Sequence, residues 1–492
     1  MTNYEFIMKL ALERGFYFPS CEIYGDAPAG FWEYGPRGVS MKNKFIELWR
    51  RELVRRDGML EIDGSQIMSK SVFVASGHIG NFTDPIIKCT KCNATFRADR
   101  YISEKTAGNV PERMADDELD QLIKKYQLKC QNCRGDFGKV SRFNMMFRVG
   151  IGPAAEGAYL RPETCQTIFV DFARIFKTMR GKLPMGIAQI GKSFRNEIAP
   201  RQSLLRLREF YQAEIEVFCN PNKLNDLSRF EEVKNTALNI SDDSATVTQI
   251  TAEDAIQKGI LPNKLVAYYL ALLNEFYSKT GIDMKRTRFR RLPEEEKAFY
   301  ASIAFDFEVE TSIGWLELVA CNYRSDYDLK GHSATSKQNL EVIDPSDQTK
   351  VLPHIFELSM GIDRSLYTIL EHCYFQDFEH DRTVLKLKPY LAPLSIGVLP
   401  LMTKDGLAEV AESVYADLKQ DFDTFLDESG SIGRRYRRLE EVGTPFAITI
   451  DKTTMQDNTV TVRDRDTMQQ KRIDISQLNN FFHSALRDSP NN

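Results

Sequence analysis

No uninterrupted apolar run in this chain approaches the roughly 18 residues that a membrane-spanning helix needs. The opening stretch MTNYEF has neither the basic segment nor the apolar core of a secretory leader, so a cytoplasmic protein is expected. There is no internal repeat, and nothing of low complexity beyond the short polar tail SPNN. Solenoids, collagen-like chains and disordered linkers are thereby set aside. A strong excess of one charge is also missing. The formal net charge is −4, so the surface as a whole will not hold a polyanion, and a nucleic-acid partner would need local basic patches. The nine cysteines lack the pattern of a secreted disulfide framework. Two CxxC pairs stand beside the singles Cys21, Cys165, Cys219, Cys321 and Cys373, which fits reduced thiols and a metal site.

What is there is a soluble globular composition, 42% hydrophobic and 27% charged, in a chain of 492 residues. That length exceeds one ordinary domain and suits roughly two to four. Residues 1–87 open with helix-like spacing at Phe6, Leu10 and Leu12, pass the stretch FWEYGPRG, and run into a charged helix ending near RRELVRRDG. Residues 88–142 are bracketed by the cysteine pairs, carry the polar run VPERMADDELDQL, and read as an inserted module. Strand-like segments with arginine-bearing loops fill 143–220, and 221–300 is a further insertion with Leu265, Tyr269, Leu272 and Phe276 on one helical face. Residues 301–385 begin with a hairpin, ASIAFDFEVE then TSIG then WLELVA, and close with the helix SLYTILEHCY after Arg364. KLKPYLAP reads as a linker into an α/β unit over 386–492, where PLSIGVLPL precedes a helix marked by Leu407, Val410, Ala411, Val414 and Leu418.

The densest chemistry lies in GKSFRNEIAPRQSLLRLREFYQAEIEVF, residues 191–218, which reads as two antiparallel strands joined by a long loop. Residues two apart on a strand face the same way, so Arg195 and Glu197 are expected in one cleft. They offer a guanidinium for a phosphate and a carboxylate that accepts from an exocyclic amine. Phe210 adds a flat apolar face, with Glu214 on its side of the strand. An isolated RxE is more often a surface ion pair and an isolated Phe a core residue; the ordered set is what points to a site. Cys89-x2-Cys92 and Cys130-x2-Cys133 have the spacing of a structural zinc site, two knuckles with four thiolates and no open position, against the alternative of four ordinary reduced cysteines. No Ser-His-Asp or Cys-His set is recognisable. The basic strings KRTRFRR (285–291) and RRYRR (434–438) suit solvated helix faces as well as nucleic acid, because Arg434 and Arg438 lie four apart with Glu440 and Glu441 following.

FRNE, followed by a loop and REF, resembles motif 2 of the class II aminoacyl-tRNA synthetases. GIDR, Gly361 to Arg364, resembles their motif 3, and residues 25–80 with GPRG resemble motif 1. The strings LRPETCQ, REFYQAEIEVF, WLELVACNYRSDYDL and ELSMGIDR are similar to glycyl-tRNA synthetases of the homodimeric, archaeal and eukaryotic-like type. The resemblance implies an α+β fold: an antiparallel-sheet catalytic domain with insertions, then a C-terminal mixed α/β domain that binds the anticodon. It implies a homodimer that uses ATP and Mg2+ to activate glycine and esterify it to tRNA(Gly).

Residue by residue, the resemblance implies that Arg195 holds the ATP α-phosphate, with Asn196 beside it and Glu197 meeting the adenine amine. Phe210 and Arg364 would sandwich the adenine, a use that suits a planar guanidinium. Leu205, Arg206 and Arg208 would track the triphosphate, and Glu317 with Leu318 would help hold ATP and its magnesium ions near Gly361. Glu163, Glu214, Glu357 and Ser359, together with Phe210 and Arg97, would line the glycine subsite. Cys165, Ser203, Ala320 and Leu358 depart from the usual family strings, which more often have alanine, glycine, glycine and proline there; no charged site residue is lost. Two other readings are carried forward. A non-catalytic paralogue would not need Arg195, Glu197, Glu317 and Arg364 together, and a synthetase for proline, threonine, serine or histidine would need side-chain room among the three glutamates.

Overall fold

Alternating apolar and polar residues build the main sheet from nine strands: β1 (Leu60–Ile62), β2 (Met185–Phe194), β3 (Glu209–Cys219), β4 (Ala237–Ser241), β5 (Val247–Thr251), β6 (Thr287–Arg291), β7 (Ile303–Thr311), β8 (Gly314–Ser325) and β9 (His354–Gly361). The computed structural model describes residues 2–486 apart from 107, 109, 112, 113, 201 and 243–245, so the tail SPNN and part of VPERMADDELDQL lie outside the described residues. Across the sheet the order is β5-β4-β6-β7-β8-β9-β3-β2-β1. The run from β6 to β2 is antiparallel, while β1 beside β2 and β4 beside β6 run parallel. The expected hairpin is β7–β8, closed at Gly314, whose φ of 105° favours glycine.

Period two divides this sheet. Ala213, Ile215 and Val217 on β3, Phe356, Leu358 and Met360 on β9, and Phe305, Phe307 and Val309 on β7 are buried in the largest apolar core. The other face is also covered, yet it carries Gln212, Glu214, Glu216, Asn322, Glu357 and Asp306. Register sets these in rows: Glu214 opposite Ser359 and Ser359 opposite Ala320, then Glu216 opposite Glu357 and Glu357 opposite Asn322. A buried polar face is what positions the site.

The helices correct several expectations. In α1 (Asn3–Glu13) the buried stripe is Ile7, Leu10 and Ala11, and Phe6 and Leu12 are largely exposed. α2 (Pro36–Trp49) continues directly into a π-helical stretch, Arg50–Arg55. A helix, α3 (Cys165–Thr178), lies where strand-like segments were expected; Phe169, Phe172 and Phe176 make its buried side. α4 (Lys264–Ser278) is buried almost all round rather than on one face, because it is clasped on both sides: Phe276 meets Phe45 of α2, and Tyr277 stacks on Phe307 of the sheet. α5 (Tyr327–Ser336) follows β8, and α6 (Ile362–Cys373) begins straight after β9, which puts Arg364 in its first turn. KLKPYLAP is no loose linker: Leu387, Leu391 and Ala392 belong to the main core.

The cysteine-bearing segment has its own sheet, Thr83–Lys88 with Thr95–Arg97 and Ser141–Asn144, which takes in residues ahead of 88. Its small core is Ile87, Ala98, Tyr101, Ile102 and Leu119. At the C-terminal end, β10 (Ile396–Pro400), β11 (Thr424–Leu426), β12 (Phe446–Ile450), β13 (Thr459–Asp464) and β14 (Gln470–Asp474) form a mixed sheet over a separate core. This is the α+β architecture expected.

Several arginines of both basic strings are held in structural pairs. KRTRFRR supplies β6 and not a helix, with Arg288 and Arg290 paired to Glu308. In the helix α8 (Ile432–Val442), which follows α7 (Leu407–Leu418), Arg435 donates to the Pro400 and Asp427 carbonyls and Arg438 binds Asp427. Glu440 pairs with Arg382 and Arg463, and Glu441 with Arg14, so these carboxylates tie the helix to distant parts of the chain.

Gly38, in the first turn of α2, lies against the Phe16 carbonyl, where an added Cβ would come within 1.8 Å of the oxygen. Gly38→Ala should destabilise the fold by on the order of 1–3 kcal/mol. An unchanged urea midpoint would show that the two segments separate easily.

Candidate active site

A cavity of about 420 Å³ opens on the polar face of the sheet. The β2–β3 loop supplies Arg195, Glu197, Leu205 and Arg206 to its wall, β3 supplies Phe210, and β8 supplies Glu317 and Leu318. Glu357, Ser359 and Gly361 come from β9, Arg364 from α6, and Glu163 from the turn ahead of α3. The residues singled out in the sequence thus converge from six segments, with four exceptions. Arg97 stays in the cysteine-bearing module, bound by Asp84 and Asp99, and is not part of the wall. Asn196 uses its backbone N–H on the Met145 carbonyl. Arg208 is a brace: its guanidinium donates to the Glu197 carbonyl at 2.8 and 3.0 Å and to the Ala29 carbonyl at 2.9 Å. Glu214 is buried just behind the wall, where Ser359 reaches it.

Arg195 and Glu197 do face one cleft, though not by strand alternation, since β2 ends at Phe194. The chain turns there, with the Glu197 N–H on the Arg195 carbonyl at 2.7 Å and the Arg195 N–H on the Arg208 carbonyl at 2.9 Å. The Arg195 guanidinium lies 5.2 Å from the Phe210 ring centroid and donates to the Pro162 carbonyl at 3.1 Å. Arg206 binds Glu197 through Oε2 at 2.6 Å. Arg364 reaches the Leu205 carbonyl at 3.2 Å and Glu317 Oε2 at 3.3 Å. Arg195 thus packs by Phe210, and Arg364 lines the same cavity.

The far end of the cavity is rich in carboxylates. Glu214 accepts from Ser359 Oγ and from Thr164 Oγ1, each at 2.6 Å. Glu357 accepts from Asn322 at 2.6 Å and Arg324 at 2.8 Å. Arg324 is 1% exposed, makes a two-pronged bond to Asp328 at 2.6 and 2.7 Å, and packs 3.6 Å from the Tyr300 ring centroid. Arg324 and Asn322 were not singled out in the sequence. Their only signal was membership of the string CNYRSDYDL, in which one arginine looks like any other.

Burial raises Glu214, and the neighbouring Glu163 carboxylate pushes it further up. Burial also raises Glu357, to about 8, against the pull of Arg324. Burial would raise Glu163 too, but His78 and Arg324 outweigh it and hold that carboxyl well below the usual range. Burial, with Glu317 and Glu308 nearby, raises Asp306 where the cavity meets β7. The arrangement can hold an anion at the arginine end and an ammonium at the carboxylate end.

Away from the cavity, the Cys89, Cys92, Cys130 and Cys133 sulfurs all lie within 4.8 Å of one another. Cys89 and Cys133 are 3.5 Å apart and Cys92 and Cys130 3.6 Å, close to the edge of roughly 3.8 Å that a tetrahedron of ~2.3 Å zinc–sulfur bonds requires.

Residues 147–242 match the family described as the class II core domain of tRNA synthetases (G, H, P, S and T), and residues 395–484 match the anticodon binding domain. The chain is 38% identical to the glycine–tRNA ligase of Methanothrix thermoacetophila over 99% of its own length and 97% of that protein. It is 37% identical to that of Methanocaldococcus jannaschii, covering 99% of each chain, and 38% identical to that of Pyrococcus abyssi, covering 97% of each. The alignments run to 571, 578 and 559 positions, longer than the 492 residues here, so these relatives carry internal segments that this chain lacks.

With Glu357 raised to about 8 from an ordinary 4.5, the folded state keeps a proton that the unfolded state releases. The resulting stabilisation is full below the unfolded value and is lost as pH rises through the folded one. Wild-type protein should therefore lose stability relative to Glu357→Gln between about pH 5 and about pH 9. Urea unfolding of both across that range is the check, and parallel curves would mean that Glu357 is already ionised at the acid end.

Proposed function

The chain belongs to the glycine–tRNA ligase family of class II synthetases, and from that premise we propose that ATP and glycine meet in the cavity between Arg195, Arg364 and the Glu163–Glu214–Glu357 group. The reaction is ATP-dependent activation of glycine to the adenylate, followed by transfer to the 3′ end of tRNA(Gly). One observation carries the assignment of the site. Guanidinium groups suited to phosphate, Arg195 and Arg364, and carboxylates suited to an ammonium, Glu163 and Glu357, line a single cavity of about 420 Å³.

Activation is attack of the glycine carboxylate on the α-phosphorus, with pyrophosphate leaving. No covalent enzyme nucleophile is required, so alignment and charge stabilisation supply most of the rate. Arg195 is held in position through the Pro162 carbonyl and Phe210, ready to meet the charge that grows on the α-phosphate. Arg206 occupies Glu197 Oε2, leaving Oε1 for the adenine amine. Phe210 and Arg364, both on the cavity wall, sandwich the adenine, and Arg364 is steadied by Glu317. Glu163 meets the glycine ammonium, with Glu214 behind it adding negative charge, while Asn322 and Tyr300, backed by Arg324, close the space in which a side chain would sit. Ester formation on the terminal ribose then needs the same alignment, without a further catalytic group.

Mg2+ arrives with ATP. Glu317 and Asp306, two carboxylates close enough to influence each other, fit a hard cation and would hold it, and the ion would neutralise phosphate charge. The four module cysteines fit structural zinc. The C-terminal unit carries the anticodon contacts, and the segment 25–80 makes the homodimer contact. Among the described residues no helix is long and apolar enough to cross a membrane, which agrees with work in the cytoplasm.

Amino-acid-dependent ATP–pyrophosphate exchange tests the reading. Glycine should support exchange and alanine, serine, proline and threonine should not, and Arg195→Ala should slow it by about 10²-fold or more. Exchange with another amino acid would keep the enzyme class and overturn the pocket, while its absence even with tRNA would favour a non-catalytic paralogue. Metal analysis should find about one zinc per chain, lost together with the module's fold in Cys130→Ser. Four reactive thiols and no zinc in fresh protein would remove the metal from the account.

A further inference from the structure

Glu163, assigned above to the glycine ammonium, is not free to turn. Its Oε1 faces three donors: Gln166 Nε2 at 2.8 Å, Cys165 Sγ at 3.0 Å and His78 Nε2 at 3.2 Å. The carboxylate lines the cavity, so with Oε1 occupied, Oε2 is the oxygen left for a ligand. Gln166 and Cys165 are near neighbours of Glu163 in the chain and come with the start of α3. His78 does not; it belongs to the short helix His78–Asn81, remote in sequence and brought up by the fold.

The placing of His78 is tightly determined. The residue is 2% exposed, and its ring has aromatic neighbours on several sides, with centroids 6.2 Å from Phe73, 5.6 Å from Phe82 and 6.2 Å from Phe299. Nδ1 lies 2.8 Å from Ser76 Oγ. An ionised carboxylate can only accept, so the proton of the His78–Glu163 contact sits on Nε2. Ser76 then either donates to Nδ1 of a neutral ring or accepts from an imidazolium, and in both cases the Nε2–H is directed at Oε1. Gln166 is anchored in a similar way, its Oε1 lying 3.2 Å from His332 Nε2, which turns the amide nitrogen to Glu163.

We propose that His78 is a positioning residue for glycine: by fixing Oε1 of Glu163 it presents Oε2 to the ammonium in one orientation. The inference rests on the assignment of Glu163 to the glycine subsite. Glycine has no side chain to grip, so its ammonium and carboxylate are its only handles, and a carboxylate free to swing would leave the attacking oxygen poorly aimed. A group that orients a ligand through a second hydrogen bond commonly changes affinity by about 10-fold to 100-fold when lost from metal sites, and the same logic applies to this ion pair.

Four variants in glycine-dependent exchange decide the matter. His78→Ala and His78→Asn both lack a donor at the Nε2 position, and the second keeps more of the buried volume. Both should raise the KM for glycine by about 10-fold or more, with the KM for ATP changed less than about twofold and with thermal unfolding still cooperative. His78→Gln, whose amide nitrogen reaches close to the Nε2 position, should recover most of the loss. Glu163→Gln separates the two assignments. If it leaves the glycine KM unchanged, the subsite itself is misassigned. If it raises that KM while His78→Asn does not, the positioning role alone is overturned. Equal losses for glycine and ATP in all the His78 variants, glutamine included, would reduce His78 to a packing residue.

Discussion

Taking several carboxylates out of water onto one face of a sheet is tolerable only if a cation goes with them, and here that cation is Arg324. Its guanidinium binds Glu357 and Asp328 at once and lies between the rings of Tyr300 and Phe169, at 3.6 and 5.0 Å. A buried ion left without its partner costs roughly 3–5 kcal/mol, and the carboxylates here come from β9 and α5, so the register of both elements depends on this one side chain. Burial alone would drive Arg324 toward losing its proton, but Asp328 and Glu357 more than reverse that and raise it. The charge is compensated only in part. Neither oxygen of Glu216, one strand over from Glu357, has a hydrogen-bonding partner among the described residues, and burial raises that carboxyl far above its ordinary value. The base of the pocket is therefore best described as a shared set of charges and protons.

The division of labour between strand and loop follows from this. Glu357 and Ser359 sit on β9, and Glu214 on β3, elements whose backbones are locked into neighbouring strands on both sides. The groups proposed to meet the nucleotide lie on the β2–β3 loop and at the start of α6, where Arg208 and Arg364 stitch loop carbonyls together. A small, featureless substrate needs the stiffer support, because its ammonium and carboxylate are the only groups that can fix its orientation. A triphosphate, with many oxygens, tolerates a more adaptable wall.

Much of the site was legible because its residues are few, charged and closely spaced: Arg195 with Glu197, Glu214 near Phe210, Glu357 before Ser359 and Arg364. What was not legible was the context. Period-two alternation announces that one face of a strand is polar without saying whether that face meets water, and Glu214, Glu216 and Glu357 are all buried. For the same reason Arg324 and His78 were invisible, since each acts through a residue far away in sequence. The α3 helix was lost in TIFVDFARIF, where an apolar run fits strand and helix equally until the neighbours are known. Arg97 shows the opposite failure: a residue matched to the substrate by likeness of sequence is occupied here by Asp84 and Asp99.

Arg97 is nonetheless not irrelevant to the cavity. Asp84, which it binds, is influenced electrostatically by Glu197 and Arg206, and Arg100 on the following turn by the same pair. The cysteine-bearing module therefore stands close to the Arg206–Glu197 ion pair, although none of its described side chains lines the wall. At the glycine end, selectivity needs less apparatus. No amino acid is smaller than glycine, so the proposed subsite, walled by Tyr300, Glu163 and Glu357, has only larger competitors to reject. Steric exclusion of a larger side chain is a stronger discriminator than the roughly 1–3 kcal/mol available against a smaller one. Rigid walls are then sufficient for fidelity, and the structure invests its buried charge in keeping those walls where they are.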